Sequence, residues 1–330
     1  MTAGTVTAWM RRLASAALVL SACVCSRVWL TAATPPKEPL TALWEQPSDL
    51  SSRNLFDGPW GAGRAPDPHA VYVLTGFKSH GINPGVVVAD PSGREWHVKQ
   101  HARNNAGAEG PVEVVLSRLL SAVGYHQPPV YFLQSLTVTA KDGTRTLPGG
   151  RFRLHDPSLH ELATWSWQAN PFVGTRPYRG LLVVLLLFNS TDLKDSNNTL
   201  YSVSRGGAPS HWYVVRDLGA ALGETGRFAP RGNDPVLFEQ SAFIQGVRKG
   251  FVEFANSSPY QQLFQQQITT DDVAWAGRLL ARLSPRQWHD AFRAGGYTVQ
   301  DAERFLRKIR LNINVACRCP AAVMSMHDVR

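Results

Sequence analysis

The sequence predicts an α+β protein in which a β-rich N-terminal lobe is followed by an α-rich C-terminal lobe. Two patterns indicate this class. Between residues 70 and 100, short apolar runs alternate with turn sequences such as Asp-Pro-Ser-Gly, which is typical of strands. From residue 271 onward, apolar residues recur three and four positions apart, which is typical of amphipathic helices.

The composition excludes several classes of protein. With 44% apolar residues among 330, the chain is neither disordered nor collagen-like. Four Cys are too few for a disulfide scaffold. The ten His include neither an H-E-x-x-H motif nor a close ligand pair, so zinc chemistry is not expected. The net charge of +9 allows phosphate-bearing ligands, anionic lipid or nucleic acid and selects none of them.

Residues 1–22 predict a signal peptide. An Arg pair precedes an apolar run over residues 13–25, which is too short to span a bilayer. The run contains Leu-Ser-Ala-Cys, which resembles the lipobox of bacterial lipoproteins and makes Cys23 the expected lipidation site. There are two alternatives: the signal peptide is cleaved near residue 32 without lipidation, or it stays uncleaved and serves as the anchor. All three predict an exported chain, either a membrane-anchored lipoprotein or a periplasmic or extracellular protein.

The N-terminal lobe is expected over residues 69–164, after a Pro-, Ser- and Gly-rich tether and irregular segment over residues 23–68. The lobe begins with three strands, the last of them at residues 95–100. A helix then runs from Glu109 to about residue 123, where Gly124 ends it, and a further strand follows. This part of the chain therefore predicts a small sheet with one helix.

The C-terminal lobe is expected over residues 165–320, with a hinge at its start and a tail over residues 321–330. A buried helix over residues 178–188 precedes two short strands at residues 199–203 and 212–215. Three helices follow and begin near residues 271, 285 and 298, where capping residues and a helix-starting Pro lie.

The polar segment between the buried helix and the first of these two strands is the strongest functional motif. It reads Asp192-x-Lys194-x-x-Asn197, and Asp217-Leu218-Gly219 follows the second strand. Alone, each motif is equally typical of a polar turn. Their order resembles the catalytic loop and metal-binding motif of the protein-kinase-like fold, closest to its atypical HipA-like, phosphatidylinositol-kinase-like and secretory-pathway branches.

This resemblance implies a bilobal protein-kinase-like fold that binds ATP with Mg²⁺ or Mn²⁺. Asp192 would then be the catalytic base, and Lys194 would approach the transferred phosphoryl group. Asn197 and Asp217 would hold the metal. Asp195 could share the role of Asp192. The His-Arg that usually precedes the base is replaced by Ser-Thr, so control by a phosphorylated activation loop is not expected.

The resemblance also demands a Lys on the third strand and a Glu in the following helix. Lys99 ends the third strand, and Glu113 falls in the first turn of the helix, with Glu109 as a second candidate. There is no G-x-G-x-x-G motif; Gly76 and Gly81 offer a looser phosphate loop. Aromatic residues near the hinge could line a base site, but such residues more often belong to the core.

Three functions are compatible with the sequence. The first is an exported kinase-like protein that binds Mg-ATP and transfers the γ-phosphate to a hydroxyl on a protein or small molecule. The second is a catalytically silent kinase-fold lipoprotein that serves as a binding or scaffold protein at the cell envelope. The third is a lipoprotein of unrelated fold that binds an anionic polymer. The expected partners are a nucleotide, a hydroxyl-bearing substrate and the membrane, and no nucleic acid.

Overall fold

The first half of the chain folds into a β-barrel with one helix against it. The computed structural model describes residues 38–78, 83–101, 109–204, 210–226, 228 and 231–319. The barrel elements are β1 (Val71–Phe77), β2 (Gly85–Ala89), β3 (Glu95–Gln100), α1 (Glu109–Ala122), β4 (Val130–Ala140) and β5 (Gly143–Leu154).

The barrel strands follow the order β1-β2-β3-β5-β4 and close through a parallel pairing of β1 with β4. All other neighbours are antiparallel. Alternate residues fill the interior, where Tyr72, Trp96 and Phe152 are fully buried. The residues between them, such as His97 and Lys99, therefore lie on the outer face of the barrel.

The second half of the chain combines two small sheets with most of the helices. Its elements are β6 (Leu159–Ala163), α2 (Arg176–Leu187), β7 (Asn198–Val203), β8 (Ser210–Val215), α3 (Pro235–Gln240), β9 (Ile244–Arg248), β10 (Phe251–Phe254), α4 (Thr270–Ala281), α5 (Pro285–Ala294) and α6 (Val299–Cys317). β6, β7 and β8 form one antiparallel sheet, and β9 pairs with β10.

Helix α2 is the centre of the larger core. Every residue from Gly180 to Leu187 is buried, which explains why its sequence is apolar all round. Thr175 caps its N-terminus by accepting a hydrogen bond from the Tyr178 N–H, and Pro177 lies in its first turn. Helices α4 and α6 pack against it. The helix thus fixes the start of the polar Asp192 segment that follows.

The α+β class predicted from the sequence is confirmed, with six α-helices among the described residues. The chain leaves the barrel at residues 155–158, before the segment at 165–175 in which the sequence places the hinge. Trp165, Trp167 and Phe172 of that segment are buried in the large core. Cys23, Gly81 and the tail over residues 321–330 lie outside the described residues. No helix in the described part of the chain is both long and apolar enough to cross a membrane.

Residues 38–68 include three single-turn 3₁₀ helices, and Trp44 and Arg53 of this segment donate hydrogen bonds to backbone carbonyls at and just after the end of α1. Leu43, Leu50 and Leu55 from this segment are buried in the large core. The Glu45 N–H donates to the Gly124 carbonyl at 3.0 Å. At Gly124, φ is +104°, and an added Cβ would lie 2.1 Å from the Glu45 carbonyl oxygen. The segment therefore docks on a position that only glycine can occupy.

We expect Gly124→Ala to destabilise the protein more than Gly143→Ala. Gly143 has a similar φ of +118° but no atom within 4 Å of an added Cβ, so it reports backbone strain alone. That strain is about 1–2 kcal/mol, and the crowding at Gly124 adds about 1–3 kcal/mol. Chemical denaturation of both variants measures the difference. Equal losses would show that docking of the 38–68 segment does not depend on this contact.

Candidate active site

The Lys99 ammonium lies between three carboxylates outside the barrel. It is 2.8 Å from Glu109 Oε2, 3.5 Å from Glu113 Oε2 and 3.4 Å from Asp217 Oδ1. Lys99 is only 9% exposed. Burial alone would lower its pKa, but the carboxylates of Glu113, Asp217 and Glu109 outweigh burial and raise the pKa above its ordinary value. Lys99 is therefore a permanently charged group that joins β3, α1 and the segment after β8.

Glu109 in the first turn of α1 and Glu113 in the second lie on one face, because residues four apart in a helix lie above one another. The sequence favours Glu113 as the partner of Lys99, with Glu109 second. In the structure Glu109 is the closer partner, and Glu113 is shared between Lys99 and Arg151, whose Nε lies 2.8 Å from Glu113 Oε1. Arg151 lies opposite Lys99 on β5. Nothing in the sequence pattern marks Arg151 as part of the cluster.

Asp217 follows β8 with a left-handed φ of +53°, which turns the chain toward α1. Burial would raise the pKa of its carboxyl, but Lys99, Arg151 and Arg216 outweigh it and hold the pKa below its ordinary value. Two residues later, a Cβ added to Gly219 would lie 2.5 Å from the Cβ of Glu109. Glycine is required here because the Asp217 segment passes directly against the start of α1.

The Asp192 segment and the Asp217 segment are held together by backbone hydrogen bonds at both ends. The Thr191 N–H donates to the Ala220 carbonyl at 3.0 Å, and the Arg216 N–H donates to the Asn197 carbonyl at 2.8 Å. These bonds make the two predicted motifs neighbours in space, although β7 and β8 separate them along the chain.

Within the Asp192 segment, the side chains form a local network. The Asn197 amide donates to the Asp192 carbonyl at 2.8 Å, and the Lys194 ammonium lies 2.7 Å from Asp192 Oδ2. Burial lowers the pKa of Lys194, but Asp192 and the nearby Asp217 raise it more. Asp195 Oδ1 instead accepts a hydrogen bond from the Trp167 N–H at 3.0 Å, so that carboxylate positions the Trp167 backbone.

The pair Asn197 and Asp217 provides the donors that a hard divalent cation prefers. Asn197 is 2% exposed, and its Oδ1 is buried without a hydrogen-bond donor among the described residues. An orphaned amide oxygen of this kind usually has a functional explanation. Amide and carboxylate oxygens are suitable Mg²⁺ ligands. The residues present therefore fit a magnesium or manganese ion.

The predicted phosphate loop is only partly described. Gly76 lies at a register shift in β1, where an added Cβ would meet only the Val87 side chain, at 3.7 Å and beyond. Lys78, two residues later, donates to the Asn83 carbonyl at 3.1 Å, and the Asn83 amide donates to Glu109 Oε2 at 2.7 Å. Sequence reasoning missed the role of Asn83, which links this loop to α1.

Tyr260 is a second residue that sequence reasoning missed. Burial raises the pKa of its hydroxyl, and the negative charge of Asp192 raises it further. Tyr260 therefore lies in the electrostatic range of the Asp192 segment, although it comes from the chain after β10. It carries no motif, and only the tertiary fold brings it there.

Comparison with solved structures finds chains of similar fold. The chain is similar to the proinflammatory kinase CtkA of Helicobacter pylori, with a TM-score of 0.44 and 11% sequence identity over 75% of this chain and 97% of that one. No protein-family model matches the chain, and no curated protein matches it. The roles of individual residues are therefore argued from their own geometry.

We expect Lys99→Met to destabilise the protein by about 3 kcal/mol at neutral pH, because it leaves carboxylates facing one another without their cation. The depressed pKa of Asp217 contributes stability above about pH 4 that is lost as the pH falls through the folded-state pKa. Without Lys99 that contribution is reduced. The stability difference from the wild type should therefore stay constant from pH 7 to about 4 and shrink as the pH falls further.

Thermal melting across this pH range measures the effect. Lys141→Met, at an exposed Lys in the turn between β4 and β5, is the control and should melt like the wild type at every pH. A difference between Lys99→Met and wild type that stays constant over the whole range, including its acid end, would show that the ion cluster is not its source.

Proposed function

We propose that this protein is a kinase-like phosphotransferase that binds ATP with Mg²⁺ or Mn²⁺ and transfers the γ-phosphate to a hydroxyl acceptor. The observation that carries the proposal is the ion cluster around Lys99, which joins the strand Lys, the helix carboxylates and Asp217. In protein kinases a β3 Lys paired with a helix Glu, together with a metal-binding Asp, must be in place for activity. The same three types of group meet here within 3.5 Å of one ammonium.

The nucleotide phosphates would take the place of part of this carboxylate shell. A buried ammonium is a suitable partner for phosphate oxygens, and Glu109 and Glu113 keep it charged and oriented. Lys78 lies in the same electrostatic environment, since the charges of Lys99 and Asp217 both influence its pKa. Two cations, Lys99 on β3 and Lys78 directly after β1, therefore lie near the region where the phosphates would lie.

Asn197 and Asp217 would hold the metal. A bound Mg²⁺ supplies charge neutralisation at the phosphate oxygens and fixes their geometry. The buried Oδ1 of Asn197 and the depressed pKa of Asp217 both favour this assignment, because the first lacks a donor and the second stays ionised at neutral pH.

We assign to Asp192 the role of the base that activates the acceptor hydroxyl. Its half-buried carboxylate accepts the hydroxyl proton as the oxygen–phosphorus bond forms and the bond to the leaving nucleoside diphosphate breaks. Lys194, beside Asp192, offsets negative charge on the transferred group. Asp195 is the weaker candidate for this role, because its Oδ1 accepts a hydrogen bond from the Trp167 N–H.

We further propose that the protein works outside the cytoplasm, attached through Cys23 or released after cleavage of its signal peptide. The support for this is the charged and apolar pattern of residues 1–25. ATP is scarce outside the cytoplasm, which motivates the alternative of a catalytically silent binding protein on the same fold. The two functions differ in whether phosphoryl transfer follows nucleotide binding.

We expect ATP with Mg²⁺ or Mn²⁺ to raise the melting temperature of the wild type, and Asp217→Ala to remove the metal-dependent part. A ligand at about 100 times its Kd stabilises the native state by about 2.7 kcal/mol. Asp142→Ala removes an exposed turn carboxylate that pairs with Arg145, and should keep the full response. A wild type that gives no metal-dependent shift would contradict both kinase-fold functions.

We expect Asp192→Asn to lower phosphoryl transfer or ATP hydrolysis by about 10²–10⁴-fold, because the amide cannot accept the hydroxyl proton. The variant should keep the thermal response to Mg-ATP. Asp195→Asn is the matched control in the same segment and should retain turnover. Labelled ATP measures incorporation and hydrolysis in each protein. Equal turnover in wild type and Asp192→Asn would contradict the role of Asp192 as the base, and no turnover in either would leave only the binding function.

A further inference from the structure

A second cluster of side chains lies on the outer face of β3, in the same row as Lys99. His97 and Glu95 occupy the next two positions of this row, since alternate residues of a strand share a face. His155, which directly follows β5, lies opposite Glu95. The backbone N–H of His155 donates to the backbone carbonyl of Glu95 at 2.9 Å. Two imidazoles and one carboxylate are thus brought together by β3 and by the residue that directly follows β5.

The potential ligand atoms of these three residues are close together. One ligand atom from each of Glu95, His97 and His155 lies within 4.8 Å of the other two. His97 Nε2 is 3.2 Å from Glu95 Oε1. In a tetrahedral site with bonds of about 2.0–2.2 Å, neighbouring ligand atoms lie about 3.3–3.5 Å apart, so small side-chain rotations suffice to close the site.

We propose that Glu95, His97 and His155 bind one divalent transition-metal ion of the zinc class. Two imidazoles and a carboxylate are a common ligand set for such ions and a poor one for Mg²⁺, which prefers oxygen donors alone. The site is separate from the Asn197–Asp217 pair and does not depend on phosphotransfer.

The backbone supports this geometry. β3 and β5 pair continuously from Trp96 opposite Leu154 to Gln100 opposite Gly150. Trp96 and Leu154, which flank the three ligands, are anchored in the barrel core. Ligands placed on paired strands are held more precisely than ligands on loops.

The surroundings provide room for a further ligand. His97 and His155 line a cavity of about 300 Å³ that His160 and Tyr201 also line. Two of the three proposed ligands therefore border open space, and zinc sites with three protein ligands can keep one coordination position open for a further ligand. The half-buried Arg153 side chain lies on the same wall and opposes a cation, and the Glu161 carboxylate offsets its charge.

Two His from distant parts of the sequence produce no motif, which is why the sequence led us not to expect zinc chemistry. The strand pairing alone brings them together.

Titration of the tag-free full chain with Co²⁺, followed by visible d–d absorption, tests the proposal. Excess Mg²⁺ in the buffer occupies oxygen-donor sites. We expect one equivalent of Co²⁺ to bind and to be displaced by Zn²⁺. His155→Ala and Glu95→Gln should weaken binding by at least about tenfold, since even loss of an outer-shell partner costs that much. Both side chains are partly or fully exposed, so folding should be retained.

His69→Ala removes another exposed His and is the matched control, which should bind Co²⁺ like the wild type. Asp217→Ala should also bind normally, which separates this site from the phosphotransfer site. Absence of Co²⁺ absorption in the wild type would overturn the proposal. Binding that survives in both His155→Ala and Glu95→Gln would overturn it as well, because the ion would then lie elsewhere.

Discussion

A buried ammonium must be matched by negative charge, and this constraint at Lys99 organises the centre of the protein. Its Nζ contacts carboxylates of α1 and of the segment after β8, which thereby form one cluster. Removing any carboxylate leaves the others to match the cation, whereas removing Lys99 leaves like charges facing one another. The orientation of α1, the left-handed turn at Asp217 and the absence of a side chain at Gly219 all serve this cluster.

The cluster is also the link between the two halves of the chain. Lys99 belongs to the barrel, while Asp217 is fixed to the Asp192 segment by the hydrogen bonds at Thr191 and Arg216. A ligand that competes for Lys99 or Asp217 therefore acts on both halves at once. Nucleotide phosphates and a divalent cation are ligands of this kind. Phosphate oxygens would replace carboxylates as partners of Lys99, and the cation would replace Lys99 as the partner of Asp217.

Much of the fold could be predicted because its signals are local. The apolar run of α2, the Gly after α1 and the turn between β2 and β3 each specify structure within a few residues. The closeness of the Asp192 and Asp217 segments was predictable from the order of their motifs, and the chemical roles of Asp192, Asn197 and Asp217 stay predictions. The site was not predictable where chemistry depends on strand pairing. Arg151 opposite Lys99, and His155 opposite Glu95, are neighbours only because β5 returns beside β3. The closeness of Glu109 to Lys99 likewise depends on how α1 sits over the barrel.

The barrel core and both candidate sites are linked through the two-residue period of β3. Trp96 and Val98 point into the barrel, so Glu95, His97 and Lys99 must lie outside it. A shift of the strand by one residue would bury the charged row and expose an indole, and the cost of burying unpaired charge prevents this. The apolar packing of Trp96 against Tyr131 and Phe152 therefore also sets the register of the functional groups. The packing of Trp96 inside the barrel therefore determines that Lys99 faces α1 and Asp217, and that Glu95 and His97 face His155.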